Sequence, residues 1–179
     1  MNLARNEQVV LGGGCFWCLE ASFQIILGVE EVIPGYAGGT GSVPSYATIH
    51  SDDNGWAETV RVTFDTKNIK FSDILDIFWS IHDPTTLNRQ GHDVGPEYRS
   101  LILYQNEEQK IQAIKSRDKA QELWPNPVVT EIKQLEKFYE AEQEHHNYFQ
   151  NHPEQAYCQI VINPKLQKLK QKYTKLLKY

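Results

Sequence analysis

Apolar residues recur along this chain with two different periods, and each switch between the periods marks a new element. Val9, Val10 and Leu11 in "EQVVLGGG" form a short apolar run that stops at three glycines, the pattern of a buried strand entering a turn. Leu19, Phe23, Ile26 and Leu27 then fall at helical spacing, which places Cys15 at or near a helix N-terminus. "VEEVIPGYAGG" and "WAETVRVTFD" read as strands, the second alternating at Val60, Val62 and Phe64. Apolar positions 71, 74, 75, 78 and 81 predict a helix that stops at "DPTT". A strand "RSLILYQ", a polar helix from about Glu107 to Leu123, a short strand "VVTEI" and a helix near Glu140 to Gln150 follow. The run from Gly35 to Gly55, which contains glycine and serine, reads as a long surface loop, and long loops in compact domains are often functional. In the tail "NPKLQKLKQKYTKLLKY", Asn163 reads as a cap, Pro164 as the first helical position, and Leu166, Leu169, Tyr173 and Leu176 share one face. Its six lysines read as the solvated face opposite that stripe, in preference to a site for an anionic partner.

Strands and helices thus alternate, and 179 residues with 40% apolar and 23% charged content fit one soluble domain spanning positions 1–179. The formal charge of −5 offers no basic field for nucleic acid or an anionic membrane, so a protein or small-molecule partner is expected. No apolar run approaches membrane-spanning length and the first residues lack the apolar stretch of a secretory signal, which points to the cytoplasm. A monomer is expected. Cys15, Cys18 and Cys158 are too few for a disulfide framework, and their odd number favours reactivity over stapling.

The stretch "GGGCFWCLE" carries the most chemistry. At a helix N-terminus, unpaired N–H groups and the helix dipole lower a cysteine pKa, so Cys15 is expected to be nucleophilic near neutral pH. Glycine backbone leaves room for a substrate to approach the sulfur. Residues i and i+3 of a helical turn lie within disulfide reach, so Cys18 is placed to attack an oxidised Cys15. Alternation puts Glu58 on the same inward face as Val60 and Val62.

"GCFWC" resembles the active-site signature of the A-type peptide methionine sulfoxide reductases. "GYAGG", "PSY", "AETVRVTFD", "FWSIHDPTTLNRQGHDVGPEYRS", "FYEAEQEHHNYFQNHP" and "YCQIVINPK" are similar, in order, to further blocks of that family. The resemblance implies an α/β (α+β) fold of ferredoxin-like type, with a mixed, antiparallel-rich sheet and flanking helices. It implies reduction of the S-epimer of methionine sulfoxide, free or in proteins, with Cys15 as nucleophile and Glu58 as the acid that protonates the sulfoxide oxygen. Tyr46 and Tyr98 match two tyrosines that donate to that oxygen, and Asp93 matches an acid that orients substrate backbone or water. Phe16 and Trp17 are expected to wall an apolar pocket that keeps Glu58 protonated. A sulfenic acid on Cys15 would condense with Cys18 or, as second candidate, with Cys158. A thioredoxin-type dithiol would then reduce the disulfide, with no metal or organic cofactor.

This chain departs from the family pattern at three points. Trp56 stands where many relatives have histidine, "GPEYRS" replaces the commoner "GTQYRS", and His50 lies where some relatives carry an additional cysteine. Cys158 is followed by "QIVINPK", which lacks the glycines of a mobile tail. Two readings compete with the enzyme. One is a non-catalytic module binding methionine-rich or oxidised protein surfaces through Phe16 and Trp17, which would need no nucleophile. The other is a metal-binding protein using Cys15, Cys18 and His145 or His146, although a zinc site normally wants four ligands.

Overall fold

The computed structural model describes residues 6–51 and 54–178. Its frame is a six-stranded sheet built from β1 (Asn6–Gly12), β2 (Val29–Ala37), β3 (Ala57–Asp65), β6 (Leu101–Tyr104), β7 (Glu131–Gln134) and β8 (Phe138–Glu140), in the order β7-β6-β1-β3-β2-β8. All pairings are antiparallel except β6 with β7, which are parallel and joined through helix α4 (Glu107–Gln121). Helices α1 (Phe16–Gln24), α3 (Phe71–Ser80) and α6 (Asn163–Lys172) complete the main core. A two-stranded hairpin, β4 (Arg89–Gln90) with β5 (Asp93–Val94), stands apart from the sheet. The expected mixed, antiparallel-rich sheet with flanking helices is therefore the observed one.

The alternation read in β3 decides what each face does. Val60, Val62 and Phe64 join the main core, whereas Ala57 belongs to a smaller cluster with Val10, Ala37, Leu101 and Leu103. Each such Val or Phe contributes about 1.5–3 kcal/mol by leaving water. Glu58 has the parity of Val60 and is 1% exposed, so the same pattern that builds the core carries a carboxylate into it. Tyr36 is its neighbour across the β2–β3 ladder.

The glycine turn between β1 and α1 is held by its surroundings. Gly14 has φ +92, and its N–H donates to the Tyr98 carbonyl at 3.1 Å. A Cβ on Gly13 would approach the His82 ring at 3.0 Å. His82 is fixed in turn by the Phe78 carbonyl at 2.7 Å and Ser100 Oγ at 2.8 Å.

Five local readings need correction. The helix expected near Glu140 to Gln150 is instead strand β8, a single turn at Gln143–His145 and the short helix α5 (Tyr148–Asn151). Asn147 breaks the path with φ 53, and the buried Glu20 carboxylate collects the Asn147 and Tyr148 N–H groups at 2.7 and 3.4 Å. The loop expected from Gly35 to Gly55 contains the end of β2 and a short helix α2 (Tyr46–Ser51), which Ser45 starts by accepting the Thr48 N–H at 3.3 Å. Residues 52 and 53 of that run lie outside the described residues. Asn163 does not cap the last helix, because the chain is already helical from Cys158–Ile162, a π-helical turn that runs directly into α6. Helix α1 ends at Gln24, leaving Leu27 beyond it and 48% exposed. The "VVTEI" strand begins only at Glu131. No helix among the described residues is long and apolar enough to cross a membrane.

Candidate active site

Cys15 occupies the N-cap of α1 with extended backbone, φ −62 and ψ 130, and its carbonyl accepts the Cys18 N–H at 3.1 Å. The helix therefore begins where the glycine turn places it. The thiol is 8% exposed, and burial pushes its pKa up, reinforced by the nearby Glu58 and Cys18. A hydrogen bond from the Trp17 backbone pulls the other way and loses. The expected lowering by the helix N-terminus is thus present and overruled by desolvation: the resting group is a thiol.

Glu58 supplies the complementary half. Its Oε2 accepts the Phe16 N–H at 3.0 Å, which holds the carboxyl beside the residue that follows Cys15. Burial pushes the carboxyl up to about 8, with the negative fields of Asp93 and Glu97 adding to it and the Phe16 bond opposing. Glu58 is consequently an acid at neutral pH, close enough to Cys15 for each to shift the other's pKa. Tyr46 and Tyr98 are half-buried phenols that both sense Glu58 and Cys15. Burial first, then those charges, pushes Tyr46 up to about 12 and Tyr98 further, so both keep their O–H and remain donors.

Aromatic rings line this group. Phe16 is 0% exposed, stacked under Tyr46 with centroids 6.5 Å apart and against His145 at 5.2 Å. It is the bed of the pocket; of the expected pair, only Trp17 reaches the surface. Trp17 stacks on Tyr148 with centroids 3.7 Å apart and planes 5° off parallel, and its indole N–H donates to His145 Nδ1 at 3.2 Å. Since Nδ1 accepts, Nε2 of His145 carries the proton and has no lone pair for a cation. His146 Nε2 is hydrogen-bonded to the Ala141 carbonyl at 2.9 Å. Among the described residues, the one set with metal-ligand spacing is Glu142, Glu144 and His145, which contains neither cysteine. The metal reading built on Cys15 and Cys18 therefore has no support in the geometry.

The chain matches the family described as Peptide methionine sulfoxide reductase over residues 7–177. Peptide methionine sulfoxide reductase MsrA of Leptospira borgpetersenii serovar Hardjo-bovis is 54% identical over 162 residues, covering 90% of this chain and 92% of that one. Among solved structures, reduced Mxr1 from Saccharomyces cerevisiae has a TM-score of 0.80 at 30% identity, covering 88% of this chain and 91% of that one. Methionine sulfoxide reductase A of Corynebacterium diphtheriae has a TM-score of 0.78 at 29% identity, covering 85% of this chain and 77% of that one. This chain belongs to the peptide methionine sulfoxide reductase family.

Of the residues that resemblance to these reductases singled out, the structure gathers Cys15, Glu58, Tyr46, Tyr98, Phe16 and Trp17 around one point. Asp93 comes there too, with a partner that the sequence did not indicate: the Tyr157 hydroxyl donates to Asp93 Oδ2 at 2.8 Å. The same hydroxyl lies 3.8 Å from Cys18 Sγ. Cys18 is 3% exposed on the first turn of α1, and Cys158 is 0% exposed within the main core. All three thiols are unpaired. Trp56 is 3% exposed and packs edge-on against Tyr139 at 5.4 Å.

Sequence reasoning missed four side chains of this candidate site. Tyr157 stood in the quoted "YCQ" block without a role, and His145 appeared only as a possible ligand. Tyr36 and Glu142 likewise stood without a role in the quoted "GYAGG" and "FYEAEQEHHNYFQNHP" blocks. They lie far apart in the chain, yet Tyr36 donates its hydroxyl to Glu142 at 2.8 Å while the other Glu142 oxygen accepts the Tyr46 N–H at 3.1 Å. That carboxylate fixes the start of α2, and with it Tyr46.

Proposed function

We propose that this chain reduces the S-epimer of methionine sulfoxide, free or in oxidised proteins, to methionine, using Cys15 as nucleophile. The observation that carries this reading is a 1% exposed Glu58 carboxyl, pushed up to about 8 by burial and tied by the 3.0 Å bond from the Phe16 N–H to the residue next to Cys15. As the Cys15 sulfur attacks the sulfoxide sulfur, Glu58 gives its proton to the sulfoxide oxygen and receives the thiol proton. The S–O oxygen passes to Cys15, so methionine leaves and Cys15 becomes a sulfenic acid. Tyr46 and Tyr98 donate hydrogen bonds to the oxygen as its charge develops. Trp17, Tyr46 and Tyr148 receive the methyl group and thioether chain. Asp93, bound to Tyr157, orients that phenol, and through it the Cys18 thiol.

Cys18 then attacks the sulfenic sulfur, forming a disulfide with Cys15 and releasing water. Cys158 is the second candidate for this step. A dithiol of thioredoxin type restores both thiols. Both electrons come from cysteine sulfur, so the cycle as written draws on no metal or organic cofactor. We place this activity in one domain spanning residues 1–179, acting as a monomer in the cytoplasm, where cysteines are kept reduced.

The test supplies the S- and R-epimers separately with a small dithiol and measures methionine released. Release from the S-epimer alone, abolished by Cys15→Ser, is expected. Binding of oxidised peptide without release of methionine would favour the non-catalytic module.

A further inference from the structure

His50, on α2, lies between two carboxylates. Its Nδ1 is 3.1 Å from Glu97 Oε1, and its Nε2 is 3.6 Å from Glu58 Oε1. A carboxylate only accepts, so Glu97 holds the proton of His50 on Nδ1 and leaves Nε2 to exchange with Glu58. The His50 side chain is 28% exposed against 1% for Glu58, so the imidazole is the member of this pair that meets water. Tyr46 and Tyr98 face the ring at centroid distances of 4.5 and 6.0 Å, and His145 feels its charge. Cys15 and Asp93 also act on the Glu58 carboxyl. Of all these groups, Glu58 and Glu97 are the ones within ion-pair distance of His50 among the described residues.

We propose that His50, anchored by Glu97, is a positioning residue that conducts protons between solvent and Glu58, and through Glu58 to Cys15. This rests on the reading of Cys15 and Glu58 as the reacting pair. The step that needs such a path is the reduction of the Cys15–Cys18 disulfide. An external dithiol gives two electrons, becomes a disulfide itself, and leaves a thiolate at the buried Cys15. That thiolate takes the proton of Glu58. The His50 imidazolium then gives its Nε2 proton to the Glu58 carboxylate, and water reprotonates the imidazole. One proton enters from solvent for each buried thiolate quenched. The 3.6 Å separation closes with a shift of a few tenths of an ångström, and Glu97 keeps Nε2 on the side facing Glu58.

The test compares wild type, His50→Gln and Glu97→Gln in two regimes. One is the first release of methionine from reduced enzyme already equilibrated at pH 6.5. The other is steady turnover with saturating dithiothreitol. For His50→Gln we expect kcat to fall about tenfold with KM unchanged, the first release to stay within twofold, and added imidazole to recover kcat. Glu97→Gln should show a smaller fall of the same kind. An equal loss in both regimes, an unchanged kcat, or no response to imidazole would overturn the proposal. Absence of methionine release from wild type would instead remove the underlying reading of Cys15 and Glu58.

Discussion

The backbone N–H of Phe16 donates to Glu58 Oε2 at 3.0 Å, tying the acid to the residue that follows the nucleophile. One hydrogen bond thus sets the distance between two reacting groups that lie on different elements, β3 and the start of α1. It also opposes the effect of burial, since it favours the carboxylate. Burial wins, and Glu58 stays protonated until about pH 8.

The pH dependence of the first chemical step follows from that competition. Release of one methionine per enzyme, measured without reductant, should be constant from pH 6 to 7 and fall above about 8 as Glu58 ionises. Glu58→Gln keeps a hydrogen-bond donor but cannot transfer a proton, so it should be slower than wild type by roughly two orders of magnitude. Glu58→Ala should be slower still. Equal rates for the two variants would remove the acid role.

The same carboxyl should cost stability. The unfolded chain releases this proton near the ordinary glutamate value of 4.5, and the folded chain near 8. The stabilisation that comes with the raised pKa is complete below pH 4.5, is lost progressively as pH rises from there to about 8, and is absent above. Glu58→Gln escapes this loss. At pH 7 it should be more stable than wild type, by on the order of 1–3 kcal/mol, and the difference should shrink toward pH 4.5. Denaturant unfolding at both pH values measures it.

The sequence displayed this site in proportion to how local its signals are. Cys15, the glycine turn and Cys18 follow one another, and the parity of Val60 and Val62 carried Glu58 inward without any structure. The segment around Tyr46 reads as a loop because the helix that Ser45 and Thr48 start is too short to produce a periodic apolar pattern. The acidity of Cys15 is not legible in the sequence for a different reason. The helix N-terminus is visible in the sequence, whereas the depth of burial depends on Tyr46, Tyr98 and Glu58 arriving from elsewhere. Glu97 and His50 were noted as departures, but their contact joins residues 47 positions apart and needed the fold to appear.

Tyr157 offers a test of Asp93. If Asp93 acts by orienting that phenol, Tyr157→Phe removes both the 2.8 Å bond to Asp93 and the 3.8 Å contact with Cys18. The first methionine should then be released at the wild-type rate while the disulfide forms about tenfold more slowly. Quenched-flow mapping of thiols against methionine separates the two. A slowed first release would assign Asp93 and Tyr157 to substrate instead.

Trp17 should govern affinity more than rate. Trp17→Phe keeps a ring to stack on Tyr148 but loses the indole donor that fixes His145. KM for methionine sulfoxide should rise several-fold with kcat little changed, because the interaction is present in ground and transition states alike. A fall in kcat at constant KM would move Trp17 into the chemical step.

The order of disulfide formation distinguishes the two candidate partners of Cys15. Cys18 is one helical turn away, and its backbone already hydrogen-bonds the Cys15 carbonyl at 3.1 Å. Closing so small a loop carries little chain entropy, although the first turn of α1 has to open to reach the preferred torsion about the S–S bond. Cys158 is 0% exposed in a π-helical turn that runs directly into α6. Moving it would withdraw the turn that also places Ile162 in the core. Wild type, Cys18→Ser and Cys158→Ser are each treated with excess methionine sulfoxide and no reductant. Peptide mapping then locates the disulfide, and the methionine released is counted. Wild type and Cys158→Ser should join Cys15 to Cys18, and Cys18→Ser should stop at the sulfenic acid. Should Cys18→Ser pair with Cys158 at the wild-type rate while Cys158→Ser stops at the sulfenic acid, the last turn before α6 unwinds in every cycle and Cys158 is the partner.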